Sequence, residues 1–99
     1  TLIVPVKSNV VSNLILGNGN TLGIRISNHP FCISVAHNYP NPITTTSVNR
    51  SGHEPLSEPY KIELEFSNEI ELCIDAGIIK GHGSKIYKYE NQSWTVIRS

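Results

Sequence analysis

The chain has 99 residues, with eight Lys and Arg balancing eight Asp and Glu, and 38% of its side chains are apolar. That length allows one domain at most, and zero formal charge gives no global field to draw in nucleic acid or an acidic membrane. The longest apolar runs are about five residues against the roughly twenty that cross a bilayer, and no signal-peptide pattern is present, so no membrane partner is expected. Cys32 and Cys73 stand far apart in apolar surroundings and read as buried free thiols, which suits a reducing, cytoplasmic location. His29, His37, His53 and His82 lack the spacing of a zinc site. Acidic residues gather from Glu54 to Asp75, while Lys80, Lys85, Lys88 and Arg98 make the final stretch basic, which predicts two differently charged solvated faces.

In chain order, Leu2 to Val6 reads as a short strand, followed by an irregular segment in which Gly17-Asn18-Gly19-Asn20 marks a turn. Leu22 to Ile26 is a second strand. Asn28 before His29 and Pro30 predicts a capped helix running to about Asn38, where Tyr39-Pro40-Asn41-Pro42 stops it. Ile43 to Thr46, rich in β-branched residues, predicts a third strand. From Tyr60 to Ile74 the apolar residues Ile62, Leu64, Phe66 and then Ile70, Leu72, Ile74 alternate with polar ones, which is the period of a hairpin. Ser57 as a cap with Pro59 in the first turn argues instead for a helix on the first part. Ser84 to Tyr89 and Trp94 to Arg98 close the chain as a hairpin around Glu90-Asn91-Gln92. Strands interleaved with short helices predict an α/β fold, with ligand-binding loops beyond the carboxyl ends of strands.

One loop stands out. Pro42-Ile43-Thr44-Thr45-Thr46-Ser47-Val48-Asn49-Arg50-Ser51-Gly52 carries hydroxyls, an amide, a cation and a glycine directly after an apolar entry. The hydroxyls and amide suit a phosphate or carboxylate ligand, and Gly52 permits backbone angles closed to other residues. An ordinary Ser/Thr/Asn/Gly loop after a strand has the same composition.

This loop resembles the P-[LIV]-x-[ST]-[ST]-S-A-N-x-S-G signature of the YrdC-like family, also called TsaC. Three further segments occur in that family's order: Thr21-Leu22-Gly23-Ile24-Arg25-Ile26-Ser27-Asn28-His29-Pro30, Ser84-Lys85-Ile86-Tyr87, and Val96-Ile97-Arg98. Thr1-Leu2-Ile3-Val4-Pro5 is similar to a strand that lies in the middle of the family domain. The resemblance therefore implies that residues 1–99 are a partial YrdC-like domain with its N-terminal half absent: a fragment, a split-gene product or one piece of a larger polypeptide. It implies the later part of a twisted, mixed β-sheet with short flanking helices, and for Tyr60 to Ile74 a helix followed by a strand, the reading adopted here.

What the resemblance implies about function is specific. Family members make threonylcarbamoyl-AMP from L-threonine, bicarbonate and ATP, with magnesium accompanying the nucleotide, for tRNA modification. Threonine and bicarbonate give a carbamate whose carboxylate attacks the α-phosphorus of ATP and releases pyrophosphate, so no nucleophilic side chain is needed. Thr21, Ser47, Asn49 and Arg98 are implied at ATP, with Asn49 ordering the loop, and Arg25, Thr45 and Ser84 at threonine. Both arginines can hold an anion through parallel hydrogen bonds. Arg50 occupies a position that varies in the family and is expected to be solvated. The product would pass to a separate threonylcarbamoyl transferase complex, with tRNA met only indirectly. Val48 in place of alanine and Lys85 in place of threonine depart from the family pattern. Two alternatives are an RNA-binding YrdC-like module without catalysis and the YrdC-like domain of a carbamoyl-transfer maturation protein.

Overall fold

A computed structural model describes residues 1–99, and the chain divides into two units, one formed by Thr1–Pro42 with Ser84–Ser99 and the other by Ile43–Gly83. The first unit contains β1 (Leu2–Pro5), β2 (Thr21–Ile24), α1 (Pro30–Asn38), β3 (Ile86–Glu90) and β4 (Ser93–Arg98), and the second contains α2 (Pro59–Phe66). The four strands form one mixed sheet in the order β2-β1-β3-β4. This is the α/β class expected from the interleaved pattern.

Apolar, β-branched Ile3 and Val4 give β1 its pleated surface, and it is paired on both sides. Against β2 it runs antiparallel, with Leu2 opposite Ile24 and Pro5 opposite Thr21. Against β3 it runs parallel, with Leu2 opposite Tyr87 and Ile3 opposite Lys88. The Thr1 nitrogen donates to the Lys85 carbonyl at 2.8 Å, and the Tyr87 N–H donates to the Thr1 carbonyl at 3.0 Å. A parallel pair cannot be joined by a tight turn, so α1 and the whole second unit lie in the connection. The turn before β2 needs two special glycines. Gly19 has φ +71°, and a Cβ on Gly17 would stand 2.8 Å from the Thr21 Oγ1.

The closing hairpin follows the sequence reading closely. Asn91 and Gln92 have φ of 49° and 59°, the doubly left-handed turn whose twist matches that of the flanking strands. Tyr89 and Trp94 face each other across it, their ring centroids 5.0 Å apart.

Both helices form where their prolines predict, but each cap lies one residue later than expected. Pro occupies the first helical position, which makes the residue directly before it the cap. In α1 this is His29, not Asn28: its Nδ1 accepts from the Phe31 N–H at 3.3 Å, and its extended ψ of 131° is what a residue before proline prefers. In α2 it is Glu58, not Ser57, and its side chain reaches Lys61 instead of the backbone.

Two predicted strands are absent. Ile43 to Thr46 and Ile70 to Ile74 have no ladder, and the second unit holds α2 and no strand. Alternation and β-branching describe side chains that suit a sheet, whereas a strand also needs a neighbour to exchange hydrogen bonds with. The signature loop consequently does not sit at the carboxyl end of a strand.

No side chain of the chain is fully buried. Ile3, Val4, Leu22, Val35 and Ile86 are half-buried in the first unit, and Leu56, Ile62, Phe66 and Ile70 in the second. Cys32 is exposed and Cys73 half-buried; both are free thiols, and neither is the buried one expected. Their apolar sequence neighbours do not enclose them, because those neighbours are themselves open to solvent.

Replacing Trp94 with Leu keeps apolar area on β4 and removes the aromatic pair. The expected loss is about 0.5–1.5 kcal/mol of hairpin stability, read by urea denaturation followed through circular dichroism.

Candidate anion-binding residues

The sequence-derived candidates divide between the units. Thr21, Arg25, Ser84 and Arg98 belong to the first, and Thr45, Ser47 and Asn49 to the second.

Within the first unit the sheet brings Ser84 and Arg98 together. Arg98 ends β4, and its Nε and Nη2 donate to the Ser84 carbonyl at 3.0 and 2.6 Å. The Ser84 hydroxyl lies 2.6 Å from the Thr1 hydroxyl, a second tie on this residue, which stands two positions before β3. A carbonyl is a neutral partner, so Arg98 keeps its full charge, and three of its five N–H groups remain for an anion. Thr21 opens β2, and its hydroxyl donates to the Asn18 carbonyl at 3.1 Å, leaving its lone pairs as acceptors. Arg25 lies just beyond β2 and is exposed, not within the strand as predicted.

In the second unit the signature loop is closed on itself by backbone bonds. Leu56 N–H donates to the Val48 carbonyl at 2.9 Å, and His53 N–H to the Arg50 carbonyl at 2.9 Å across a turn in which Gly52 takes φ +81°. Asn49 Nδ2 also donates to the Arg50 carbonyl, at 3.0 Å. The remaining amide oxygen, Asn49 Oδ1, is shielded from solvent and has no partner. Leaving a shielded acceptor unpaired costs about 1–3 kcal/mol. Only a donor satisfies it, so it suits a ligand hydroxyl, amine or water and not a phosphate oxygen. Thr45 and Ser47 are exposed ahead of this closed segment.

Arg50 is exposed, as expected, but its guanidinium is also paired with two carboxylates. Its Nε donates to Glu65 Oε1 at 2.8 Å, its Nη1 to Glu69 Oε2 at 3.0 Å, its Nη2 to Glu69 Oε1 and, at 3.2 Å, to the Glu65 carbonyl. The guanidinium carbon stands 4.5 Å from the centre of the Phe66 ring. Glu65 lies in the last turn of α2 and Glu69 just beyond it, so the cation bridges two like charges that the end of the helix brings close. Glu65 and Glu69 stay exposed, as that acidic stretch was expected to be, while sharing one cation. Their hydrogen bonds, that of Glu69 first and Glu65 second, push the Arg50 pKa upward, and the bond from Arg50 holds Glu69 below the ordinary carboxylate value.

These features belong to an α/β chain whose first unit presents a partly free guanidinium at Arg98 and whose second unit presents an unpaired acceptor at Asn49. The model of the Sua5/YciO/YrdC family, described as telomere recombination, matches residues 1–99. The chain belongs to this family. It is 31% identical over 81 residues to a threonylcarbamoyl-AMP synthase of Serratia proteamaculans, covering 82% of this chain and 41% of that protein. To the threonylcarbamoyl-AMP synthase of Photobacterium profundum it is 27% identical over 75 residues, covering 76% and 40%. To that of Acinetobacter baylyi it is 36% identical over 55 residues, covering 56% and 29%. The chain thus spans about two-fifths of the length of the first two curated relatives. No solved structure matches it.

The lowered Glu69 pKa sets a pH window. Its ion pair with Arg50 contributes fully above the ordinary carboxylate value of 4.5 and is lost as pH falls through the lower folded value. Side-chain carbon NMR of Glu69 should titrate with a midpoint below 4.5, and Arg50→Ala should move that midpoint back up.

Proposed function

We propose that this chain supplies the later, nucleotide-binding part of a threonylcarbamoyl-AMP synthase, the enzyme that joins L-threonine, bicarbonate and ATP. The observation that carries the reading is Arg98: a guanidinium fastened to a neutral carbonyl, with charge and donors left over, on a chain whose relatives bear that enzyme's name. Arg98 and the hydroxyls of Thr21 and Ser47 would hold ATP, while Asn49 orders the loop and offers its free acceptor to a ligand donor. Arg25 would take the threonine carboxylate, with Thr45 and Ser84 orienting the amino acid.

Catalysis in this scheme is positioning and charge stabilisation. The carbamate carboxylate approaches the α-phosphorus in line with the pyrophosphate leaving group. One new P–O bond forms as the bond to pyrophosphate breaks, and Arg98 would offset the phosphoryl charge. No three His, Cys, Asp or Glu side chains gather into a metal-sized cluster. Magnesium would be held largely by the nucleotide's own phosphates, whose charge it neutralises. No helix is long and apolar enough to cross a membrane, and the reading places the protein in the cytoplasm, handing its product to a threonylcarbamoyl transferase complex that acts on tRNA.

Ser47→Ala and Arg98→Ala are each expected to weaken ATP binding by about 1–3 kcal/mol, the size of a lost hydrogen bond involving a charged group. Isothermal titration of the parent chain and both variants with ATP and magnesium measures this. A parent that binds and two variants that bind equally well would remove the assignment. A further expectation is that the chain alone makes no threonylcarbamoyl-AMP; pyrophosphate release dependent on threonine and bicarbonate would contradict it.

A further inference from the structure

We infer that Arg50 is a positioning residue that clamps the signature loop to α2, holding Ser47 and Asn49 in place without itself binding the anion. The inference rests on the nucleotide-binding reading above and adds a residue at a position where the family signature specifies none.

Four observations carry it. First, most of the fork is used: Nε, Nη1 and Nη2 make four bonds to Glu65 and Glu69, leaving one of the five N–H groups, and Phe66 lies against the guanidinium carbon. Second, the charge is used. One cation faces two carboxylates, so the cluster is net negative and repels a phosphate. This is the opposite of Arg98, which is anchored to a neutral carbonyl. Third, the clamp joins segments fifteen and nineteen residues apart in sequence, tying the loop to the last turn of α2 and to the residues just after it. Fourth, the backbone of Arg50 is the hub of the loop. Its carbonyl accepts both the His53 N–H and the Asn49 side-chain amide, which uses both of its lone pairs. Fixing the Arg50 side chain therefore fixes the carbonyl that aims Asn49 and closes the Gly52 turn. Lysine would not substitute, since a single ammonium lacks the planar fork that meets both carboxylates and the ring together.

A direct ligand and a clamp predict opposite signs. If Arg50 bound phosphate, removing Glu65 and Glu69 would release its charge and tighten nucleotide binding. If it clamps, the same change loosens the loop and weakens binding. The experiment compares the parent chain with Glu65→Ala/Glu69→Ala and with Arg50→Lys, by amide hydrogen exchange at Leu56 and His53 without nucleotide and by titration with ATP and magnesium. Exposed ion pairs are individually weak, so exchange at the two loop amides is expected to rise about three- to tenfold in both variants, and ATP affinity to fall by a similar factor. Exchange at Tyr87 and Lys88 in β3 serves as the reference for intact structure. Unchanged exchange at Leu56 and His53 overturns the clamp, as does tighter ATP binding by the glutamate variant. A parent chain that binds no ATP overturns the nucleotide reading and with it the ligand-positioning role, while the exchange comparison still decides whether Arg50 holds the loop.

Discussion

The sheet depends on β1, which spans only Leu2–Pro5. It is the strand with two partners from distant parts of the sequence, antiparallel β2 on one side and parallel β3 on the other. Without it the closing hairpin and β2 would share no hydrogen bonds. The parallel contact also positions Ser84 and, through it, Arg98. Thr1 reaches Ser84 and Lys85 just before β3, and Ser84 is the residue on which Arg98 is fastened. A long-range pairing of this kind is costly in chain entropy, and its ladder is short. The sheet gains no compensating interior, since none of its side chains leaves solvent altogether. Leu2, Ile24, Phe31, Trp94, Val96 and Ile97 all remain substantially exposed.

The second unit solves the problem of order differently. It has no sheet, and its regular structure is one helix of eight residues. Side-chain and loop bonds do the rest: the Arg50 cluster, the Val48 to Leu56 closure, the Ile79 N–H to the Ser57 carbonyl, and the turn in which the Gly77 N–H meets Asp75 Oδ1. Exposed charge pairs are weak one at a time, and their effect here comes from several donors of one rigid guanidinium acting together. The two arginines illustrate how partners set the charge that one side-chain type presents. Carboxylate partners neutralise Arg50, and a carbonyl partner leaves Arg98 charged.

Local signals were legible in the sequence, and long-range ones were not. Pro30 and Pro59 mark the helix starts, the Asn91-Gln92 turn marks the hairpin, and Gly19 marks the turn before β2, because each works through its own backbone angles. The strands expected at Ile43 to Thr46 and Ile70 to Ile74 fail because side-chain alternation says nothing about whether a neighbouring strand exists. For Tyr60 to Phe66 the helix-start proline outweighed a strand-like period. The pairing of Arg50 was missed because its partners lie fifteen and nineteen residues further on, at and just beyond the end of α2. The roles given to Thr21, Arg25, Thr45, Ser47 and Asn49 came from family resemblance, since hydroxyls and amides at those spacings would serve an ordinary loop equally well. The bond between Arg98 and the Ser84 carbonyl was not legible in the sequence, since it depends on the pairing of β3 with β4.

The central claim is that these residues bind nucleotide. The most direct test is a proton-nitrogen correlation NMR spectrum of the chain, titrated with ATP and magnesium. The account predicts dispersed peaks with saturable shifts confined to Thr21, the loop from Ser47 to Asn49, and Arg98. A dispersed spectrum that does not move as nucleotide is added would contradict it.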